Sequence, residues 1–309
     1  MLMFRTLLLA GAATLCAVGA TSAPAKILDP AKPEDAVEIA KRVQCGIGDQ
    51  PAVMYWSGKV YSRIEGEPDR HLFDGEGMNI RQCVPVSDPV RGNGFRLVSK
   101  EVMFFTDPKT GQIVRKWENP WTGETVDVMQ IANDPVNQRP MFPRTADGKP
   151  SPTMRMKQAA GWVLMPLEVP LFYTNPLAGD YQDYVGNKYH AMEIFDFAAR
   201  ADELLDTRHP TSYPTVSWVR ISDWMPWMKM RGRQGIIIFN AMGAKIKSFN
   251  DLPKVMKDEI AANYPGYTAP PPKDDARPND TTWTVFKKMV DEQRKAAGAN
   301  PATTTSGNH

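Results

Sequence analysis

Two polar side chains near the end of one predicted strand are the first candidates for chemistry in this sequence. Asn79 and Arg81 are two positions apart, so they share one face of that strand. Glu101 alternates with apolar residues in a later strand, which indicates that it points inward with them. An inward carboxylate or guanidinium is costly without a partner, and Arg81 or Arg115 can pair with Glu101. The pattern predicts either a site built on Arg81 and Glu101 or a structural ion pair.

A histidine in a third predicted strand is the remaining acid–base candidate. His190 shares a strand face with Met192 and Ile194, whereas Glu193 points to the other face with Phe195. Histidine exchanges protons near neutral pH, but a lone histidine among apolar residues is also typical of a core position. The predicted catalytic residues are His190, Glu101 and Arg81.

Aromatic residues interspersed with arginine and asparagine are the richest feature of the predicted strands. A pocket with such a lining suits a small apolar or aromatic ligand, with or without an anionic group. The same residue types also fill the cores of β proteins, which is the alternative for each of them. The predicted ligand-binding residues are Tyr55, Trp56, Arg63, Asn79, Arg81, Trp117, Asn119, Tyr184, Tyr189, Trp218, Arg220, Trp224 and Trp227.

Several common chemistries have no support in the sequence. It contains no Gly-x-Ser-x-Gly motif of a serine hydrolase and no Gly-x-Gly-x-x-Gly motif of a nucleotide site. The four histidines lack metal-ligand spacing, and no Cys-x-x-Cys is present, so we predict neither a metal nor a cofactor. A formal net charge of +2 argues against a nucleic-acid partner or an anionic-membrane surface.

The first 25 residues have the pattern of a signal peptide. Arg5 is their only charged residue, an apolar run covers residues 7–20, and small residues follow. We predict removal of residues 1–25 and export to a periplasm or beyond, with no membrane span left afterwards; a retained anchor is the alternative. Export would leave Cys45 and Cys83 in an oxidising compartment, where we predict a disulfide between them. Two buried free thiols are the alternative.

Turn signals and β-branched residues predict a mainly β fold. The stretches 107–111 and 119–123 both read Asp/Asn-Pro-x-Thr-Gly, which is turn chemistry between the strands of a meander. We predict one domain over residues 26–297 and a disordered tail over 298–309, with two subdomains divided near 137–152 as the alternative. The predicted helices are 33–45, 251–264 and 283–297. The predicted strands are 52–63, 71–80, 95–106, 112–118, 124–132, 153–159, 161–173, 189–198, 215–221, 234–241 and 243–248.

These strands predict an antiparallel barrel or a strongly curved sheet of about ten strands, with helices at the N- and C-termini. A further observation concerns the stretches 55–56, 60–63, 76–83, 107–111, 117–124, 132–137, 175–189, 217–230 and 269–283. These stretches resemble the DUF1838 family, and the resemblance covers roughly residues 35–290. The resemblance implies a single domain and carries over no catalytic residues.

The sequence leaves three classes of function open. The first is an exported protein that binds a small apolar or aromatic molecule inside the barrel. The second is a cofactor-independent lyase, isomerase or hydrolase that uses a histidine or carboxylate with an arginine. The third is a structural protein of the cell envelope. The sequence does not indicate an oligomeric state.

Overall fold

The computed structural model describes residues 25–48, 50–151, 155–174, 177, 188–230 and 232–298, without the side chains of residues 173, 174, 188 and 189. The predicted signal peptide, apart from Ala25, and the predicted tail, apart from Gly298, lie outside these residues. The described helices are α1 (Pro33–Gln44), α2 (Ala201–Leu205), α3 (Lys254–Asn263) and α4 (Thr282–Ala296), with short 3-10 turns between them.

The described strands number eleven. They are β1 (Ala52–Arg63), β2 (Arg70–Asp88), β3 (Gly92–Thr106), β4 (Lys116–Glu118), β5 (Thr125–Asp127), β6 (Ile131–Asn133), β7 (Lys157–Ala159), β8 (Trp162–Thr174), β9 (Lys188–Arg200), β10 (Thr215–Ser222) and β11 (Ile236–Ile246). Nine of them form one antiparallel sheet in the order β6-β3-β2-β1-β11-β10-β9-β8-β7. The mainly β class and the helices at both ends of the chain are therefore confirmed.

The sheet does not close, so the barrel prediction is wrong. Beyond β6, the edge of β3 is paired with the segment 136–141, through hydrogen bonds such as Gln138 N to Leu97 O at 2.9 Å. Pro135 and Pro140 lie next to donors of this segment. Proline has no backbone N–H group, so neither residue can donate a hydrogen bond to a further strand. On the opposite side, β8 lies next to the last strand and carries Pro166 and Pro170, which cannot donate to a further strand.

Different parts of the chain pack on the two faces of the sheet. On the outer face, Met78 and Ile80 of β2 pack with Phe104 of β3 against Met256 and Ile260 of α3. Residues of the opposite parity on β2 therefore point to the inner face. The periodicity of the sequence predicts this orientation of Asn79 and Arg81, and the packing of α3 bears it out.

The second turn and its strands are displaced from the predicted meander. β4 and β5 form a separate two-stranded hairpin, and the side chain of Gln130 bonds to backbone groups of β3 and of the chain after the first turn. Its Oε1 accepts the N–H of Phe105 at 2.7 Å, and its Nε2 donates to the carbonyl of Val114 at 2.8 Å. The hairpin packs its Trp117 and Val126 on the core at one end of the inner face.

The prediction of two separate strands, 234–241 and 243–248, is also wrong. Residues 236–246 form the single strand β11, which passes Gly243 without a turn. A Cβ at Gly243 would lie 2.2 Å from the carbonyl oxygen of Tyr55 on β1. The glycine is therefore explained by a close approach of two strands.

Helix α1 is fastened to the sheet at its C-terminal end. Cys45, the residue after the helix, forms a disulfide with Cys83 of β2, with Cα atoms 5.7 Å apart. The same end carries Gln44, which turns towards the inner face and lines its cavity. The bridge thus fixes the helix end next to the polar residues of β2.

We expect the Cys45–Cys83 bridge to contribute about 4 kcal/mol to the free energy of unfolding, on loop-closure entropy for a sequence separation of 38 residues. In a Cys16→Ser chain, unfolded without reductant, thiol titration should find no free thiol. Reductant should lower the urea midpoint, and a Cys45→Ala/Cys83→Ala variant should match the reduced protein and not respond. Two titratable thiols before reduction would contradict this prediction.

Candidate functional site

The inner face of the sheet lines a cavity of about 1040 Å³. Alternate residues of β1, β2, β3, β9, β10 and β11 point into it, and the segment 136–142 and the first turn of α4 complete its wall. One end is closed by a packed aromatic core that includes Phe73, Phe105 and Trp227. The cavity is the place where the predicted polar and aromatic residues of the strands meet.

Strong curvature of the sheet brings distant strands to the same cavity. β3 and β9 are five steps apart in the strand order, which corresponds to about 24 Å in a flat sheet. Glu101 of β3 and Glu193 of β9 nevertheless line one cavity, and Glu193 is close enough to raise the pKa of Glu101. The two carboxylates therefore face each other across the cavity.

Arg81 is the buried cation of the site, with 9% of its surface exposed. Its Nε donates to Oδ1 of Asn79 at 2.7 Å, and its Nη1 donates to Oε1 of Gln44. Among the described residues, Arg81 has no carboxylate at ion-pair distance and its Nη2 has no acceptor. Burial lowers the pKa of Arg81 to about 10, against the opposing effect of Glu101, so the group is charged at neutral pH.

Glu101 is the carboxylate nearest to this cation in the strand register. It lies directly opposite Asn79 on one side and Asn133 on the other. Nδ2 of Asn133 donates to its Oε1 at 2.7 Å, and Oε2 has no donor among the described residues. Burial raises the pKa of Glu101, and the charge of Glu193 adds to this shift, whereas Asn133, Arg220 and Arg81 oppose it.

A second pair of charges lies on the opposite wall. Arg220 of β10 and Glu193 of β9 are register partners, and Nη1 of Arg220 donates to Oε1 of Glu193 at 2.6 Å. Arg220 also lies 5.9 Å from the ring centroid of Trp283, at the start of α4. The two charges of this ion pair cancel, whereas Arg81 has no carboxylate of the described residues at ion-pair distance.

Two tryptophans form the aromatic part of the wall. The rings of Trp56 and Trp218 meet edge to face with centroids 6.0 Å apart. Their indole N–H groups are buried, and neither has an acceptor among the described residues. Trp56 lies across Gly77, where a Cβ would be 2.2 Å from the indole ring, so the glycine is required for this placement.

Seven of the described predicted site residues do not line the cavity, and three of these, Tyr55, Arg63 and His190, lie away from it. The hydroxyl of Tyr55, on the outer face, donates to Glu76 at 2.7 Å, and Arg63 pairs with Asp69 on the surface at 2.5 Å. His190 leaves 59% of its side chain exposed and stacks on Phe172, so the structure does not bring it to Arg81 and Glu101. The alternation of β9 directs His190 outward and Glu193 inward.

The remaining predicted residues support one end of the cavity or cannot be placed. Asn119 is buried, and its Nδ2 donates to the carbonyl of Met228 at 2.9 Å, which holds the hairpin turn against the core. Trp117, Trp224 and Trp227 pack in that core. Tyr184 lies outside the described residues, and Tyr189 is described only as backbone in β9.

Comparison with known proteins gives a family for this fold and site. The model of the DUF1838 family, described as "Protein of unknown function (DUF1838)", matches residues 49–290. The chain belongs to the DUF1838 family.

Two further comparisons add little to this assignment. The comparison with curated proteins found no match. Among solved structures, the chain is similar to Ail, the attachment invasion locus protein of Yersinia pestis, at 6% identity and a TM-score of 0.20, over 64% of this chain and 98% of that chain. A likeness this weak carries no argument about fold or function.

Within the described part of this DUF1838 chain, neither metal-ligand clusters nor spanning helices are found. No group of three or more histidine, cysteine, aspartate or glutamate side chains there is arranged to hold a metal ion. None of the helices described is long and apolar enough to cross a membrane.

Three polar members of the site were not predicted from the sequence. Glu193, Phe195 and Phe197 are two positions apart on β9, so they point to the same face of the sheet. This spacing was sufficient to predict that Glu193 points inward. Asn133 lies in the three-residue strand β6, too short for a periodicity argument. Gln44 reaches the site from a helix end, which strand patterning cannot indicate.

The placement of Trp56 gives a test of the cavity wall. Gly77→Ala should displace the Trp56 indole, lower the free energy of unfolding by about 1–3 kcal/mol and shift the tryptophan emission, because overpacking has this cost. Urea denaturation and fluorescence measure both effects. Gly266→Ala is the matched control, because its Cβ would meet no atom within 4 Å. Equal stability of the two variants would contradict the placement.

The raised pKa of Glu101 predicts a pH-dependent stability. Below the ordinary value of 4.5, Glu101 is protonated in both the folded and unfolded states and imposes no penalty. As the pH rises above it, the unfolded state loses this proton first, so the wild type loses stability until the pH passes the folded-state pKa. Glu101→Gln should therefore become more stable relative to wild type between about pH 4.5 and neutrality.

Urea denaturation at several pH values measures this difference. Glu118→Gln, at an exposed position in β4, is the control and should show no such trend. A stability difference for Glu101→Gln that stays constant across the pH range would overturn the prediction.

Proposed function

We propose that this protein binds a small apolar or aromatic molecule with an anionic group, and that the anion contacts Arg81. The observation that carries the proposal is a buried guanidinium with an unused N–H edge in a cavity lined by tryptophan and phenylalanine. A buried cation without a carboxylate at ion-pair distance is unfavourable, and a ligand anion would supply such a partner.

The dimensions of the cavity support a ligand of moderate size. Its volume of about 1040 Å³ is at the upper end of the range typical of small-molecule sites. Phe195, Trp218 and Phe239 offer apolar surface to the body of such a ligand. The unpartnered indole N–H groups of Trp56 and Trp218 are further donors that would favour ligand oxygen atoms.

Arginine is well suited to this role. Its fork of N–H donors matches the geometry of a carboxylate or sulfonate, and Asn79 and Gln44 already fix its orientation. Such pre-organisation reduces the entropy cost of binding. A purely structural envelope protein, the alternative, would not require a buried cation at an open cavity.

The proposal includes the location and partners of the protein. We propose export to a periplasm or beyond, and a Cys45–Cys83 disulfide suits an oxidising compartment. The partner is the small molecule, with no cofactor and no nucleic acid, and no membrane span would remain after signal removal.

Two dyes that differ by one anionic group can test the proposal. Anilinonaphthalene sulfonate has an aromatic body and an anion, and phenylnaphthylamine is the same body without the anion. We expect Arg81→Gln to weaken sulfonate binding about 10- to 100-fold, because a hydrogen bond to a charged group is lost. The affinity for the neutral dye should change much less. The affinity of Arg81→Lys for the sulfonate should lie between those of wild type and Arg81→Gln.

Two surface variants control for binding elsewhere. Arg63→Gln removes an exposed arginine outside the cavity, and Met242→Glu alters the outer face, where Met242 is 70% exposed. Neither should change sulfonate affinity, and circular dichroism should show that every variant is folded. Equal effects of Arg81→Gln on both dyes, or loss of binding in Met242→Glu, would overturn the proposal.

A further inference from the structure

A polar row crosses three strands at the centre of the cavity wall. Asn79, Glu101 and Asn133 are register partners on β2, β3 and β6. Asn133 is 4% exposed, and its Nδ2 fixes Oε1 of Glu101 at 2.7 Å. Oε2 of Glu101 has no donor among the described residues, so one oxygen of an oriented carboxyl group is available to a bound molecule.

The other carboxylates that line the cavity are occupied or exposed. Glu193 accepts from Arg220 at 2.6 Å, and Asp280 accepts from Lys288 at 2.8 Å. Glu168 is exposed on β8, the strand next to the last one of the sheet. Glu101 alone among these four is partly buried and held by a neutral partner with no cation at ion-pair distance, which is the usual setting of a proton-transferring carboxyl group.

The lining offers few alternatives for catalysis. Among the described lining residues there is no histidine, cysteine, lysine or tyrosine. The hydroxyl of Ser99 donates to the carbonyl of Val136 at 2.6 Å, and Asn79 donates to it in turn at 3.4 Å, so it has no base to activate it. The guanidinium groups of the lining, Arg81, Arg139, Arg155 and Arg220, are hydrogen-bond donors and offer no acceptor for a proton.

We infer that Glu101 is a catalytic acid–base and that the cavity isomerises organic anions by moving a proton between carbon and oxygen. The inference rests on the proposed function, because the anion must first bind at Arg81. The substrate class is an apolar or aromatic carboxylate with a carbonyl group and an adjacent C–H bond.

The reaction balances without a co-reactant. The Glu101 carboxylate takes a proton from the carbon next to the carbonyl, and the C–H electron pair becomes the new C=C bond. The carbonyl electron pair moves to oxygen, which takes the proton back from Glu101 to give the enol. Arg81 holds the substrate carboxylate and stabilises the charge that develops on this oxygen, and the aromatic wall reduces access of water.

Burial and the charge of Glu193 both favour this role. They raise the pKa of Glu101 towards the working pH, where general acid–base catalysis is most effective. Arg81 and Arg220 act in the opposite direction and favour the ionised carboxylate, which is the form that serves as the base. Other charges of the lining are Arg139, Arg155, Glu168 and Asp280.

Phenylpyruvate is a suitable probe, because it combines an aromatic ring, a carboxylate, a carbonyl group and an acidic C–H bond. Displacement of anilinonaphthalene sulfonate by phenylpyruvate shows first that the probe occupies the cavity. Hydrogen–deuterium exchange at the carbon next to the carbonyl, followed by NMR in deuterated buffer, then measures proton transfer.

We expect wild-type protein to accelerate the exchange, with a rate that rises with pH as Glu101 loses its proton. Glu101→Gln should reduce the protein-dependent rate by at least about 100-fold and retain dye binding, since the amide keeps the shape but cannot accept the proton. Glu118→Gln, exposed on β4, should exchange at the wild-type rate. Glu193→Gln should shift the pH profile to lower pH, because it removes a negative charge near Glu101.

The outcomes separate the two proposals. If neither dye nor phenylpyruvate binds at the cavity, the proposed function fails. If phenylpyruvate displaces the dye but exchanges no faster than in buffer, or exchanges equally fast with Glu101→Gln, the inference about Glu101 is wrong and the binding function stands.

Discussion

The buried charge of Arg81 is the constraint on which the arrangement of the site depends. A buried guanidinium requires hydrogen-bond acceptors. Here the acceptors are two neutral side-chain amides from different secondary-structure elements, which satisfy N–H groups of Arg81 without cancelling its charge. Asn79 comes from the same strand, and Gln44 comes from the end of α1. The position of that helix end is therefore part of the site, and the Cys45–Cys83 bridge lies one residue beyond Gln44.

A buried lysine also holds this helix end in place. Nζ of Lys245 donates to the carbonyl groups of Arg42 at 2.6 Å and Cys45 at 2.9 Å, and to the hydroxyl of Thr211 at 2.8 Å. Burial lowers the pKa of Lys245 to about 7, and the nearby charge of Arg81 acts in the same direction. The two cations thus destabilise each other, which is a cost of fixing the helix end so near to Arg81.

Strand periodicity predicted those parts of the site that lie on long strands. It placed Asn79 and Arg81 on one strand face, which is the inner face of the sheet. It failed where side chains replace strand pairing, as Gln130 does for Phe105, because no local pattern records such a contact. Closure into a barrel depends on how two distant edges end, which is likewise a property of tertiary structure.

The choice between two neighbouring residues on β9 shows a different kind of limit. His190 was favoured for its chemistry, although the parity of Phe195 and Phe197 favoured Glu193 as the inward residue. Geometry is the stronger criterion, because a group outside the cavity cannot act on a ligand inside it, whatever its pKa. Periodicity should therefore be applied before residue type when a site is predicted from strands.

The charges of the two walls explain why Arg81 and not Arg220 is the expected anion contact. Arg220 is matched by Glu193 at 2.6 Å, so this pair has little residual field. Among the described residues no carboxylate lies at ion-pair distance from Arg81, so its charge is balanced less closely than that of Arg220. A bound anion would raise the proton affinity of Glu101 further, because its charge adds to that of Glu193. Anion binding and proton transfer would then be coupled: the ligand that neutralises Arg81 would also make the Glu101 carboxylate a stronger base.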